Sequence, residues 1–192
     1  QTYVRMKTRY AADILIDVNV QAVAQADIAA AIEQANNDSA VQGIILQLPI
    51  DDVSQTEKLC QLIAPEKDVD GLGASSTYPS ATAQAIDWLL AGYNIELSDK
   101  QIAIVGRGKL VGAPLEKMWR QRGLNVQVYD KTNPATADSL QKCNVIVTAT
   151  GVPHLITSEM IAPETVVVDA GTASEGGGCR AFLADGDGAS SL

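Results

Sequence analysis

The sequence predicts an α/β protein whose main domain is built around a doubly wound parallel sheet. Of its 192 residues, 46% are hydrophobic but only 4% are aromatic, so an aliphatic core is expected. Short runs of Val, Ile, Leu and Ala recur along the chain, as they do in strands that are buried on both faces. In the second half, helical segments separate these runs, which is the pattern of parallel βαβ units.

The first half of the chain predicts a small α/β domain. Apolar runs at residues 14–16 and 41–48 are expected to form strands, and Pro49 ends the second run. Helical spacing predicts helices over residues 27–35 and 54–63. The small and polar residues 71–79 indicate a loop.

The second half predicts alternating strands and helices. Strands are expected at residues 101–105, 126–129, 145–149 and 165–169, with helices near 82–92 and 114–122. A boundary between Thr82 and Asn94 divides the chain into a small N-terminal domain, residues 1–90, and a larger domain, residues 91–192. A ligand-binding cleft is expected between them. From Gly176 the Gly-, Ser- and Asp-rich composition predicts a mobile tail.

Composition excludes several classes of function. The formal net charge is −9 and no basic stripe stands out, so nucleic acid is not an expected partner. Cys60, Cys143 and Cys179 have neither the even number of a disulfide framework nor the spacing of a zinc site, so no metal is expected. Free thiols predict a reducing, cytoplasmic compartment. No apolar stretch reaches the ~18 residues of a membrane span. The polar start predicts no signal peptide.

A glycine-rich turn lies between the strand predicted at 101–105 and the helix after it. Gly106, Gly108 and Gly112 form G-x-G-x-x-x-G, one residue longer than the commonest dinucleotide fingerprint. Glycines allow the backbone to approach a pyrophosphate, and the helix N-terminus offers N–H donors and partial positive charge. The turn therefore predicts a Rossmann-type domain that binds NAD or NADP. The alternative is a turn without a ligand.

The choice of nicotinamide cofactor depends on charged residues near this turn. Asp130 ends the next predicted strand, where an acidic residue can accept hydrogen bonds from the adenosine ribose and repel a 2′-phosphate. This favours NAD. Arg107 and Lys131 argue for NADP, because either could pair with a phosphate. Asp130 also has an ordinary interpretation as a turn residue at a strand end.

Polar residues in the first half form a second set of candidates. Tyr3 and Lys7 would share one face if their segment is helical. Gln47 stands just before the Pro49 break, and Asp70 stands before Gly71. Each also has an ordinary interpretation, Lys7 as a surface lysine and Asp70-Gly71 as a turn. Composition and spacing alone do not assemble these residues into a site.

The chain resembles the methylenetetrahydrofolate dehydrogenase/cyclohydrolase family over nearly its whole length. Its diagnostic motifs are matched in order, and the third of them is the most specific. The matching segments are Tyr3–Lys7, Gly43–Pro49, Pro65–Gly71 and Val105–Pro114, followed by the weaker Thr148–Gly151 and Val168–Gly171.

The resemblance implies a role for each matching residue. Lys7 would be the catalytic lysine, Gln47 the glutamine that tunes it, and Asp70 the aspartate that holds the pterin ring. Tyr3 would pack on the folate, with Leu46 and Leu48 beside it in the substrate site. The cofactor-contacting positions would be Gly106, Arg107, Gly108, Asp130, Lys131 and Thr172.

The resemblance also implies an activity in one-carbon metabolism and purine biosynthesis. The family oxidises 5,10-methylenetetrahydrofolate with NAD or NADP and hydrolyses the methenyl product to 10-formyltetrahydrofolate, usually as a homodimer. The residue types suit this chemistry. Hydride loss from a carbon between two nitrogens requires positioning more than a strong base. Ring opening by water requires proton transfers, which a lysine can carry.

The chain departs from the family pattern at several positions. Gly108 replaces a serine, and Tyr129-Asp130 replaces a histidine-serine pair, which bears on cofactor choice. A family segment before Tyr3 and a folate-covering loop after Leu192 are not matched, so the chain is expected to be incomplete at both ends.

Three rival functions remain open from the sequence. They are a dehydrogenase without hydrolase activity, a non-catalytic nucleotide- or folate-binding relative, and another two-domain dehydrogenase that acts on a small acid or amino acid. The Pro65–Gly71 block does not suit the last of these. His154, the single histidine, lies in a predicted loop and argues against a histidine-based mechanism.

Overall fold

The computed structural model describes residues 2–171, 173–175 and 178–180. The chain divides into two compact units, one from Gln1 to Tyr78 and one from Pro79 to Leu192. Among the described residues, no helix is both long and apolar enough to cross a membrane. The same part of the chain holds no group of three or more potential metal ligands.

The first unit contains three α-helices among its described residues. These are α1 (Thr2–Asp13), α2 (Ile28–Asn37) and α3 (Thr56–Cys60), with single 3-10 turns before α2 and α3. The apolar faces of α2 and α3 meet in a small aliphatic core, against which the segment before Pro49 also packs. The core residues are Ile28, Ile32, Ile50, Leu59 and Ile63, with Ile44, Leu46 and Leu48 beside them. The Leu48–Pro49 peptide bond is cis.

Two predicted strands of the first unit are wrong. Residues 14–16 leave α1 through a turn, and the N–H of Ile16 donates to the Ala11 carbonyl instead of to a strand partner. In 41–48, Ile44 alone forms a bridge, which is parallel and pairs it with Asp68. An apolar run predicts burial, but a strand also requires a neighbouring strand for its backbone groups. Here alternate residues of the run, Ile44, Leu46 and Leu48, pack against the core that α2 and α3 share, and the residues between them are exposed.

The second unit contains the predicted parallel sheet. Its strands are β1 (Gln101–Val105), β2 (Asn125–Tyr129), β3 (Val145–Thr148) and β4 (Val166–Asp169), in the order β2-β1-β3-β4. Its helices are α4 (Ala81–Gly92), α5 (Gly112–Gln121) and α6 (Ala137–Leu140). All three strand pairs are parallel. The four strands predicted from the sequence are thus confirmed to within a residue at each end.

Both faces of the sheet are covered, as the doubly wound prediction requires. Ile102 and Ile104 of β1 face a core built with α4 and α5, whereas Ala103 and Val105 face a second core that includes Leu140 of α6. This alternation follows from the two-residue period of a strand. The continuous apolar run of β1 therefore reflects burial on both faces.

The fully buried Trp119 of α5 ties this helix to α4. Its indole N–H donates to Asp87 Oδ1 at 2.9 Å, and Arg122 pairs with the same oxygen at 2.5 Å. A buried indole N–H needs such an acceptor. Ala83, Ile86 and Leu90 of α4 pack in the same core, so α4 belongs to the sheet-containing unit.

A short antiparallel hairpin follows β4. It pairs β5 (Ala173–Glu175) with β6 (Gly178–Arg180). The mobile tail predicted from Gly176 onward is therefore wrong for residues 178–180, which form a strand. The rest of that predicted tail, residues 181–192, lies outside the described residues.

Candidate active site

The sheet of the second unit has its topological switch point between β1 and β3. The chain runs outward from β1 to β2, then crosses to β3 on the other side of β1 and continues to β4. The segments that follow β1 and β3 therefore leave the sheet toward opposite faces, and they open a crevice at its carboxyl edge. Open α/β sheets bind their ligands in this crevice.

The glycine-rich turn stands in this crevice and is tightly packed at two positions. Gly106 has φ of 105°, and a Cβ there would lie 2.8 Å from the carbonyl carbon and oxygen of Ala149. A Cβ on Gly112 would overlap the carbonyl oxygen of Gly106. Gly108, by contrast, has nothing within 4 Å of its Cβ position. Two of the three glycines are thus required by the turn itself, and the third faces open space.

The helix predicted near 114–122 is present, but it begins two residues earlier, at Gly112. Gly112 is the first residue of α5, and Pro114 lies in the first turn, where a missing N–H costs no intrahelical bond. No side chain caps the N-terminus of this helix. The N-cap residue Val111 offers no side-chain acceptor, so this end of the helix keeps the partial positive charge of its first-turn N–H groups.

Asp130 follows β2 and organises the turn after it. Its Oδ1 accepts hydrogen bonds from the N–H of Thr132 at 2.8 Å, the Thr132 hydroxyl at 2.6 Å and the N–H of Asn133 at 3.0 Å. These bonds, led by that from the Thr132 hydroxyl, lower the pKa of Asp130, and the nearby Arg107 charge lowers it further. The carboxylate is therefore a fixed negative charge beside the crevice.

Arg107 is held by a carboxylate of α5. Its Nε donates to Glu116 at 2.7 Å, and Glu116 also pairs with Arg120 at 3.0 Å. The hydrogen bond and charge of Glu116 raise the pKa of Arg107. The other basic candidate, Lys131, is exposed.

The segments after β3 and β4 are joined by Asp169, whose role the sequence did not reveal. Asp169 Oδ1 accepts from the Thr148 hydroxyl at 2.5 Å and from the N–H of Gly171 at 2.9 Å. A Cβ on Gly171 would lie 2.9 Å from the nitrogen of Gly151, so the two segments are in contact. The only available signal was the Val168–Gly171 motif. The candidate cofactor residue Thr172 lies outside the described residues.

In the first unit, Tyr3 and Lys7 lie on α1, one turn apart. Tyr3 is 59% exposed and Lys7 is also exposed. In the described part of the chain, no hydrogen bond or ion pair links the Lys7 side chain to Gln47 or Asp70. The structure therefore presents Lys7 to solvent, on the face that it shares with Tyr3.

Gln47 points away from the core because its neighbours point into it. Leu46 and Leu48 pack against the core of the first unit, so Gln47 between them is exposed. Its Nε2 donates to the Leu48 carbonyl at 2.9 Å. Its segment runs beside the acidic block Pro65–Gly71, since the N–H of Ile44 donates to the Lys67 carbonyl at 2.7 Å. The structure thus brings the Gln47 and Asp70 segments together.

Asp70 lies in the turn that ends this acidic block. Its neighbour Asp68 is buried, but Asp70 is half-exposed. Gly71 follows with φ of 67°, a left-handed conformation that favours glycine. The turn that the sequence predicts at Asp70-Gly71 is therefore present, and it leaves the Asp70 carboxylate accessible.

Comparison with protein families assigns both units. Residues 80–187 match the NAD(P)-binding domain of tetrahydrofolate dehydrogenase/cyclohydrolase, and residues 1–70 match the catalytic domain of the same enzyme. The chain belongs to the tetrahydrofolate dehydrogenase/cyclohydrolase family. The resemblance in the motifs is thus confirmed, and so is the two-domain α/β fold. The predicted cofactor, NAD or NADP, is also confirmed, because the domain matched by residues 80–187 is an NAD(P)-binding domain.

Individual members of the family are similar over most of the chain. The bifunctional protein FolD of Heliobacterium modesticaldum is 33% identical over 183 residues, which cover 88% of this chain and 63% of that protein. That of Acholeplasma laidlawii is 32% identical over 184 residues, covering 89% of this chain and 66% of that protein. The chain thus spans a little under two thirds of the length of these relatives.

Solved structures of the family have the same fold. The bifunctional FolD enzyme of Campylobacter jejuni superposes with a TM-score of 0.87 and 27% identity, covering the whole of this chain and 74% of that one. The Trypanosoma brucei enzyme, solved with NADP and an inhibitor, gives a TM-score of 0.80 and 27% identity over 90% of this chain and 64% of that one.

Proposed function

We propose that this family member oxidises 5,10-methylenetetrahydrofolate to the 5,10-methenyl form with NAD or NADP, and hydrolyses the methenyl form to 10-formyltetrahydrofolate. The observation that carries the proposal is the glycine-rich turn at the switch point of the parallel sheet, where Gly106 and Gly112 leave no room for a side chain. The family match supports both steps, because one matched domain binds NAD(P) and the other is catalytic.

The cofactor fits the residues around the turn. The close packing of Gly106 and Gly112 keeps the backbone free of side chains at the start of α5, where a pyrophosphate would be bound. Gly106, Arg107 and Gly108 would line the phosphates, and Asp130 and Lys131 would line the adenosine ribose. The family resemblance also implies a cofactor contact for Thr172. When bound, the nicotinamide would supply the acceptor for the hydride that the methylene carbon loses.

The folate would be bound by the exposed polar residues of the first unit. Asp70, an acceptor when ionised, would hold the donor edge of the pterin ring. Tyr3 would pack its ring on the folate. Leu46 and Leu48 would hold the segment that carries Gln47 beside the folate. We assign this role to the unit that ends at Tyr78 and cofactor binding to the unit that begins at Pro79.

Hydrolysis would depend on Lys7. Water must lose a proton as it attacks the methenyl carbon, and a ring nitrogen must gain one as the ring opens. Lys7 is accessible to solvent and stands one helical turn from Tyr3, so its amine can transfer these protons beside the bound ring. Gln47 would orient the lysine amine without adding charge.

NAD is the cofactor that the charges favour. Asp130 is held ionised by its turn, and it would repel a 2′-phosphate while accepting hydrogen bonds from ribose hydroxyls. Arg107 could attract the phosphate, but its guanidinium is already paired with Glu116. We therefore propose that NAD is preferred to NADP.

A cytoplasmic homodimer serving one-carbon metabolism and purine biosynthesis is the assembly that we propose. The family resemblance supports the dimer, and so do Met6 and Tyr10, which are 61% and 67% exposed one turn apart on α1. The thiols Cys60 and Cys143 are buried, which suits a reducing compartment. Light scattering should give twice the chain mass of 20.2 kDa.

The test of the proposed function is a coupled assay with a lysine variant. The purified chain is mixed with 5,10-methylenetetrahydrofolate and either NAD or NADP, and reduced cofactor and methenyl absorbance are followed separately. We expect cofactor reduction without methenyl accumulation. In Lys7→Met, methenyltetrahydrofolate should accumulate, because removal of the general acid–base should lower the rate of its hydrolysis at least about a hundredfold.

Each outcome of the assay distinguishes between functions. Methenyl accumulation in the unsubstituted chain would identify a dehydrogenase without hydrolase activity. A folded chain that binds NADH but turns over neither cofactor would be a non-catalytic relative. The matched control is Arg5→Met, which removes another exposed cation of α1. In the described residues, Arg5 forms no hydrogen bond or ion pair with Gln47 or Asp70, so this variant should retain both activities.

A further inference from the structure

The acidic block of the first unit contains a buried carboxylate that the proposed mechanism does not use. Asp68 is 1% exposed, which is unusual for an ionisable side chain. Its Oδ1 accepts from the N–H of Gly71 at 3.1 Å, and its Oδ2 accepts from the N–H of Gly73 at 2.7 Å. Both carboxylate oxygens are therefore bonded to the backbone that follows.

These bonds fix the shape of the turn that carries Asp70. A buried carboxylate is costly unless its oxygens are bonded, so the turn and the carboxylate hold each other in place. The packing is close, because a Cβ on Gly73 would lie 2.9 Å from Asp68 Oδ2 and 3.2 Å from the Cys60 carbonyl. Asp70 lies between Asp68 and the two N–H groups that Asp68 binds.

The backbone of Asp68 is itself anchored. It pairs with Ile44 in a parallel bridge, and its carbonyl accepts from the Ser76 hydroxyl at 2.9 Å. The Ile44 segment continues to Gln47. The same residue therefore links the Gln47 segment to the turn that carries Asp70.

The neighbouring Lys67 has a different task. Its ammonium donates to the carbonyls of Ala35, Asn36 and Asp38, at 3.0, 2.8 and 2.8 Å, at the C-terminal end of α2. It thereby attaches the acidic block to α2. None of these bonds involves the turn from Val69 to Gly73, so Lys67 stabilises the unit without shaping that turn.

We propose that Asp68 is a positioning residue for folate binding, which acts by holding the Asp70 carboxylate where the pterin edge meets it. The inference rests on the proposed function, in which Asp70 is the folate ligand. In the described residues, no hydrogen bond or ion pair occupies the Asp70 carboxylate, so its position depends on the backbone turn. That turn is closed through both oxygens of Asp68.

The first test is Asp68→Asn in the full chain. Asparagine has the same size but offers one acceptor oxygen where two are needed, and its NH₂ would face an N–H donor. We expect the KM for 5,10-methylenetetrahydrofolate to rise at least about tenfold through misplacement of Asp70. The dissociation constant for NADH, which concerns the second unit, should stay unchanged.

Two further variants separate positioning from general loss of stability. Lys67→Met removes the α2 contacts, and it should lower stability while leaving the folate KM unchanged. Asp68→Asn combined with Asp70→Asn should raise the folate KM no more than Asp70→Asn alone, because Asp68 acts through Asp70. Additive effects, or an equal rise in KM with Lys67→Met, would overturn the proposal.

Failure of this proposal can be told apart from failure of the proposed function. If Asp70→Asn leaves the folate KM unchanged, Asp70 is not the folate ligand and both ideas fall. If Asp70→Asn raises it and a folded Asp68→Asn does not, only the positioning role is lost. Should Asp68→Asn not fold, Gly73→Ala tests the same contact, since its Cβ presses on Asp68 Oδ2. An unchanged KM in that variant would also overturn the proposal.

Discussion

Two glycines of the turn after β1 differ in the space around them, and alanine should distinguish them. Gly112→Ala places a methyl group on the carbonyl oxygen of Gly106, so the backbone must shift. We expect the free energy of unfolding to fall by about 3 kcal/mol. Gly108→Ala meets nothing within 4 Å and should change it by less than about 0.5 kcal/mol. Urea unfolding followed by circular dichroism measures both.

The two glycine variants are also controls for each other. Equal destabilisation would mean that the turn is not packed as described. NADH binding should be lost in Gly112→Ala, because the start of α5 moves away from the position where a pyrophosphate would be bound.

Asp130 should determine which nicotinamide is used. Asp130→Ser removes the negative charge that would face a 2′-phosphate, so we expect the ratio of kcat/KM for NADP to that for NAD to rise at least about tenfold. Because its pKa is lowered, Asp130 stays ionised from neutral pH down through mild acid, and the preference of the unsubstituted chain for NAD should be flat over that range.

The matched control for cofactor choice is Asp138→Asn. Asp138 is an exposed carboxylate of the same unit, and it pairs with Lys142. This substitution should leave the cofactor ratio unchanged. If Asp130→Ser also leaves it unchanged, Asp130 is a turn residue only.

At the scale of single elements, α2 depends on a distant lysine. The Lys67 ammonium satisfies three carbonyls at the C-terminal end of this helix, where positive charge is favourable. Lys67→Met should lower the free energy of unfolding by about 2 kcal/mol. Lys58→Met, at an exposed position of α3, should leave it unchanged in the same urea titration. Similar losses in both variants would contradict the capping role.

The sequence allowed some elements to be predicted and concealed others for physical reasons. β1, β3 and β4 could be predicted because strands buried on both faces are continuous apolar runs. The run at 41–48 is also rich in Ile and Leu, but an apolar composition does not reveal whether a backbone partner exists. Composition therefore indicated the core correctly and the hydrogen bonding of the first unit incorrectly.

The candidate site was predictable in part for the same reason. The glycines of the turn and Asp130 could be selected as candidates, because each lies directly after a predicted strand, where a dinucleotide-binding domain would contact the pyrophosphate and the ribose. Asp68 could not, since an aspartate near a glycine is typical of an exposed turn. Its burial results from contacts with Gly73 and Ser76 that no local pattern reveals.

For the molecule as a whole, two exposed carboxylates predict how stability depends on pH. Hydrogen bonds from Ser54 and Gln55 lower the pKa of Asp52 below its ordinary value. Hydrogen bonds from Thr132 and Asn133 likewise lower the pKa of Asp130. A lowered folded-state pKa contributes stability that is present above the unfolded value and is lost as pH falls through the folded value. Stability should therefore decline below about pH 4.

The double variant Asp52→Asn/Asp130→Asn checks this dependence. Its free energy of unfolding, measured in urea between pH 7 and pH 3, should decline less steeply below pH 4 than that of the unsubstituted chain. Parallel curves for the two proteins would show that these carboxylates do not contribute to the acid sensitivity.

The burial of Trp119 against Asp87 has an optical consequence. The chain has two tryptophans, Trp119 and the 71% exposed Trp88, and both lie after Pro79. Intrinsic tryptophan emission therefore reports on the second unit alone, and iodide should quench Trp88 but not Trp119. Far-ultraviolet circular dichroism reports on helices of both units. Coincident unfolding curves from these two signals would mean that the units melt as one cooperative body, and offset curves would mean that each melts by itself.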